Sequence, residues 1–171
     1  TTPYEVRLDD RLVWPQPHSA FPPSRIRTAG RPGPFRLAFG SCRYATPSTV
    51  DIRDDIPPDA LDSYARQIAE VPEDQWPDAL VLLGDQVYAD ELTPATAEWV
   101  SSRRDTSQPP GVQAADFEEY TRLYLESWSD PQVRWLLSNI PSSMVFDDHE
   151  MIDDWNTSAA WREEITTTGW W

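Results

Sequence analysis

Ala79-Leu80-Val81-Leu82-Leu83 runs directly into Gly84-Asp85-Gln86-Val87-Tyr88-Ala89-Asp90. The apolar run is too short for a helix and ends on a glycine, so it reads as a strand. Its lack of polar alternation suits a strand covered on both faces. Two other runs share the plan. Residues 35–39 lead into Gly40-Ser41-Cys42-Arg43, and residues 144–146 lead into Asp147-Asp148-His149-Glu150. Helical patterns lie between them. Residues 59–71 place Leu61, Tyr64, Ala65, Ile68 and Ala69 on one stripe, and residues 116–128 do the same with Phe117, Tyr120, Leu123, Tyr124 and Trp128. Asp130-Pro131 suits a further helix start, with Asp as N-cap and Pro at the first position. Strand alternating with helix predicts an α/β fold with a mainly parallel sheet flanked by helices, a partial sandwich.

Toward the N-terminus the pattern weakens. Residues 4–14 suit two short strands around Asp9-Asp10, and residues 15–34, with six Pro and two Gly, read as an extended linker or wrapping arm. The expected organisation is therefore an arm over 1–34, a possible remnant of a β-rich domain, and a partial catalytic domain over 35–171. The polar stretch 101–113 reads as a mobile loop. The chain stops on Trp170 and Trp171, a large apolar area for an unprotected end, with only three candidate core strands before it. Both features suggest a segment of a longer protein.

Charge narrows the function classes. The chain of 171 residues has a formal net charge of −15, and all 14 of its basic residues are Arg. Residues 1–43 hold seven Arg against three acids, whereas 44–171 hold seven Arg against 26 acids. An acidic surface of that strength repels a nucleic-acid backbone and attracts cations. No stretch approaches a membrane span, and no export signal opens the sequence. The lone Cys42 excludes an internal disulfide; it is either a small buried hydrophobe or a reactive or ligating thiol.

The position of the polar residues carries most of the chemistry. Parallel strands bring their carboxyl ends to one edge, where open α/β sheets bind ligands. Cys42, Asp85, Tyr88, Asp148 and His149 would then converge as a mixed thiolate, carboxylate and imidazole set suited to metal. Taken singly, Gly84-Asp85 is also a common turn, and Asp147 to Glu150 also suits a solvated helix start. Asp153 and Asp154 read as surface or capping acids.

The motifs Phe39-Gly40-Ser41-Cys42-Arg43, Leu83 through Asp90, and Phe146-Asp147-Asp148-His149-Glu150 with Asp153-Asp154-Trp155-Asn156 resemble the successive motifs of PhoD-like (alkaline phosphatase D) metallophosphoesterases. That resemblance implies a metal-dependent phosphoester hydrolase of the alkaline phosphatase or phosphodiesterase type, with a binuclear centre and metal-activated water. It implies Cys42 and Tyr88 as ligands of a first ion, Asp85 as the bridge, Asp148 on a second ion, and His149 at the transition state or leaving group. Arg43, from its charge and position, would approach the phosphate. Asp90, Asp147 and Glu150 would orient the ligands rather than bind metal. The implied ions are Fe3+ and Ca2+, the substrate a small phosphoester, and the location extracytoplasmic. Later His-bearing motifs of the family are absent from these residues, so the expected partner is the rest of the catalytic domain beyond Trp171, and the chain alone is expected to turn over little. Two other readings compete. A glycoside hydrolase with an acid pair explains neither Cys42 nor the Gly-Asp-x-x-Tyr spacing; an acidic calcium-binding or interaction domain needs no catalysis.

Overall fold

The computed structural model describes residues 1–28, 33–45 and 58–168. The expectations for Trp170 and Trp171 lie outside them. The chain forms two compact units, one of Thr1–Gly40, Thr46–Leu82 and Trp128–Met144, the other of Ser41–Ala45, Leu83–Ser127 and Val145–Trp171.

The first unit is built on a three-stranded sheet. Strands β1 (Thr2–Pro3), β2 (Val6–Leu8), β3 (Arg11–Trp14) and β4 (Arg25–Ile26) precede β5 (Leu37–Gly40), β6 (Ala79–Leu83) and β7 (Ser142–Val145), and the sheet order is β5-β6-β7. β5 and β6 are parallel, with Leu37 opposite Ala79 and Phe39 opposite Val81. β1–β4 and β2–β3 are antiparallel pairs, so the sheets are mixed rather than mainly parallel. The β2–β3 turn falls on Asp9 and Asp10, both with left-handed φ, which short polar side chains tolerate.

Helices α1 (Ala60–Ala69) and α4 (Pro131–Asn139) pack on each other beside this sheet. Each begins on an Asp whose carboxylate takes two backbone N–H groups: Asp59 from Leu61 and Asp62, Asp130 from Gln132 and Val133. Ala65 and Ile68 of α1 and Trp135, Leu136 and Ile140 of the α4 segment bury with Trp76, Leu80 and Leu82 into one core. The other sheet face is open: Phe39 keeps 70% of its surface and Leu37 51%. The expectation of strands covered on both faces is therefore corrected. Leu80 and Leu82 meet the helices, while Leu37 and Phe39 are exposed, so an unbroken apolar run here did not mean two covered faces.

The N-terminal arm is fastened to α4. Tyr4 donates to the Ser138 carbonyl at 2.8 Å, the Trp135 indole donates to the Pro22 carbonyl at 2.8 Å, and Phe21 stacks on Trp135 at 5.1 Å.

The second unit holds α2 (Pro94–Arg103), α3 (Phe117–Trp128) and α5 (Ala159–Thr166). Its core gathers Val87, Ala89, Ala114 and Leu123, with Tyr120 and Tyr124 against them. Residues 101–103 close α2, and the segment after them is tied down rather than loose. Arg104 donates to the carbonyls of Gly111 and Gln113 and to both oxygens of the fully buried Glu119. Glu119 also accepts the Ala115 N–H at 2.8 Å. A polar composition suggested mobility; a buried ion pair removes it.

Candidate metal centre

All three polar segments that follow β5, β6 and β7 belong to the second unit. Backbone bonds join the first two: Cys42 N–H donates to the Gly84 carbonyl at 3.2 Å, and Arg43 N–H to the Asp85 carbonyl at 2.9 Å. Glu150 joins the second and third. Its buried carboxylate accepts the N–H groups of Asp85 and Asp147 at 2.8 Å each, of Gln86 at 2.5 Å and of Val87 at 3.4 Å. A carboxylate satisfied by four backbone donors costs far less to bury than a bare one. Tyr120 Oη in turn donates to the Glu150 backbone carbonyl at 2.9 Å.

That clamp holds Asp85 in an unusual state. Asp85 is buried and has φ of 53°, and Cys42 has φ of 56°. Asp85 shares this backbone with Asp9, Asp10 and Asp154, and a short polar side chain tolerates it; a left-handed Cys42 is less common. Asp85, Asp148 and His149 each bring a ligand-type atom into a group whose members lie within 4.8 Å of one another. The His149 N–H also donates to Asp85 Oδ1 at 3.3 Å. Two hard oxygens and an imidazole nitrogen form a donor set that fits a cation. Asp148, Asp153 and Asp154 make a second, more exposed group of the same closeness. The backbone explains why these acids gather: Asp154 N–H donates to Asp148 Oδ2 at 2.9 Å, and Asp153 N–H to Asp90 Oδ2 at 2.7 Å.

Asp90 sets the orientation of His149. Both Asp90 oxygens lie 3.0 Å from His149 Nδ1, which leaves Nε2 as the outward nitrogen, 3.7 Å from Asp153. Burial works against the imidazolium, but the hydrogen bond and charge of Asp90, helped by Asp85 and Asp153, outweigh it and raise the His149 pKa. The Tyr88 ring packs on the His149 ring at 4.4 Å. Burial first, then the charges of Asp85, Cys42, Glu91 and Asp90, push the Tyr88 phenol up to about 12. The field here is strongly anionic, and a bound cation would reverse its effect on the phenol.

Cys42 is exposed, so it is not core filler, and its thiol belongs to neither close group of potential ligands. Arg43 is buried, and its guanidinium donates to the hydroxyl and the carbonyl of Ser127. Ser127 in turn donates to the Gln86 carbonyl at 3.2 Å. Ser127 and Tyr120 support the centre from α3, and nothing in their local sequence signals that role; only the helical stripe places Tyr120 inward.

Among the described residues, no helix is long and apolar enough to cross a membrane. A family model described as PhoD-like phosphatase matches residues 59–170. The match includes the segments after β6 and β7 and begins after Cys42 and Arg43. No curated protein and no solved structure matches the chain.

Proposed function

Since the chain belongs to the PhoD-like phosphatase family, we propose that it hydrolyses phosphoesters, as a phosphatase or phosphodiesterase, at a metal centre held by its second unit. The observation that carries this reading is the close approach of the Asp85 and Asp148 carboxylates, with the His149 imidazole beside them. Asp85 would be a ligand shared by two ions and Asp148 a ligand of the second; Cys42 and Tyr88 would complete the side of the first. Thiolate and phenolate suit Fe3+, and the carboxylate-rich side suits Ca2+. Bound cations would supply the charge that offsets the phosphoryl oxygens and activates water.

The chain's own residues prepare the rest. Glu150 fixes the backbone of Asp85, so the bridging carboxylate needs no rearrangement when substrate arrives. Asp90 holds Nδ1 of His149, leaving the Nε2 proton to pass to the leaving oxygen. The hydrogen bond and charge of Asp90 favour the protonated imidazole. Buried Arg43 fixes positive charge beneath the Asp85 loop through Ser127. Residues 35–171 are the catalytic portion in this reading, and 1–34 are an arm.

The all-oxygen group of Asp148, Asp153 and Asp154 favours one second reading, an acidic calcium-binding module without catalysis. Elemental analysis after loading separates the two: iron with calcium supports the hydrolase, calcium alone the module. In the intact protein, hydrolysis of bis(p-nitrophenyl) phosphate or p-nitrophenyl phosphate should appear with added metal, stop with chelator, and fall at least a hundredfold in Asp85→Asn. Hydrolysis indifferent to both would overturn the proposal.

A further inference from the structure

Gln86 follows Asp85 in the same loop but lines a separate space. A cavity of about 20 Å3 is bounded by Tyr44, Gln86, Tyr88, Glu91, Leu123 and Glu126, among others. Tyr88 is common to cavity and metal centre: it packs on His149 at 4.4 Å and meets Tyr44 edge-on at 5.4 Å. Gln86 is only 6% exposed. Its N–H is taken by Glu150 and its carbonyl by Ser127, yet its side-chain Nε2 has no acceptor among the described residues. Such a buried donor is costly and calls for an explanation. Glu126 differs, because the hydroxyls of Thr93 and Thr96 engage its two oxygens.

The cavity thus offers one unmatched amide donor, the exposed carboxylate of Glu91 as acceptor, and aromatic and aliphatic walls. A group that both accepts and donates hydrogen bonds matches this pair. A volume of about 20 Å3 leaves room for a water-sized group such as a hydroxyl. A carboxylate in the same place would meet like charge from Glu91 and Glu126.

We infer that this cavity receives the hydroxyl-bearing end of a substrate's leaving group, with Gln86 Nε2 donating to that oxygen, so that the site selects neutral hydroxylated alcohols over carboxylated ones. The inference rests on the phosphoester reading above and specifies its substrate. Gln86 is then a specificity-determining residue, placed by the same Glu150 clamp that places Asp85.

Non-hydrolysable phosphonates test it by calorimetry on protein loaded with Fe3+ and Ca2+. 3-Hydroxypropylphosphonate should bind about tenfold tighter than both propylphosphonate and 3-phosphonopropionate. In Gln86→Met the first two should bind equally, and in Glu91→Gln, an exposed change that leaves the core intact, the carboxylated ligand should recover. Inorganic phosphate serves as the reference for the metal centre. Equal wild-type affinity for all three phosphonates, with phosphate still binding, would overturn the subsite and leave the hydrolase reading standing. Failure of phosphate and every phosphonate to bind would overturn the hydrolase reading and the subsite with it.

Discussion

Gly84 has φ of 106°, and a Cβ built on it would overlap Asp147 Cβ and lie 3.1 Å from the Asp147 nitrogen. Two constraints meet at one residue, a left-handed backbone and the close approach of two loops. Gly84→Ala should therefore lower stability by roughly 1–3 kcal/mol in urea unfolding and weaken metal binding, because the segments carrying Asp85 and Asp148 are pushed apart. Glu150 poses the opposite test. Glu150→Gln keeps the shape but trades one acceptor oxygen for an NH2 facing backbone N–H groups. A loss of roughly 2–4 kcal/mol is expected, well above that of a surface Glu→Gln change. Unchanged stability would mean that the four N–H contacts matter little. At this scale the sequence was informative about residue types and silent about partners. Asp85, Asp148 and His149 stood out because ionisable groups directly after an apolar run are costly unless paired. An orienting role for Glu150 came with the family resemblance, but its backbone partners did not, since they lie more than sixty residues away in Asp85 and Gln86; the orphan amide of Gln86 had no local sign at all.

Among the elements, those with strong caps and stripes were readable. Asp59, Asp130 and the stripe of α3 announced α1, α4 and α3, and Asp9-Asp10 announced the β2–β3 turn. α2 was not recognised, although Thr93 caps it and Pro94 opens it, and α5 was missed behind Ser158. Their amphipathic patterns are weak, so only the caps mark them. The segment after α2 went wrong for a physical reason: Arg104 and Glu119 pair across fifteen residues, and composition does not report pairing. Glu119→Gln should cost roughly 3–5 kcal/mol by leaving Arg104 without its charge partner, and limited proteolysis should then cut within 105–115. A cut rate equal to wild type would contradict the tie.

The start of α3 also carries a pH signature. The Glu119 N–H, and to a lesser degree Arg103, hold Asp116 below its ordinary 3.8. A depressed carboxyl pKa contributes stability that is complete above 3.8 and is lost as pH falls through the lower folded value. Asp116→Asn should flatten the acid limb of the stability curve below about pH 4 and leave its shape near pH 7 unchanged. An acid limb of unchanged steepness would count against it.

For the whole molecule, the formal charge of −15 sets how it meets its surroundings. Acids crowd the proposed centre, so cation binding relieves repulsion as well as filling a ligand set. The family match, the close group of Asp85, Asp148 and His149 and the anionic field on Tyr88 all fit the proposed cation site, with Asp85 at its core. Calorimetric titration of Ca2+ and Fe3+ into wild type, Asp85→Asn and the remote control Asp62→Asn tests this most directly. Affinity should be at least tenfold weaker in Asp85→Asn and unchanged in Asp62→Asn. Wild-type affinity retained by Asp85→Asn would contradict it.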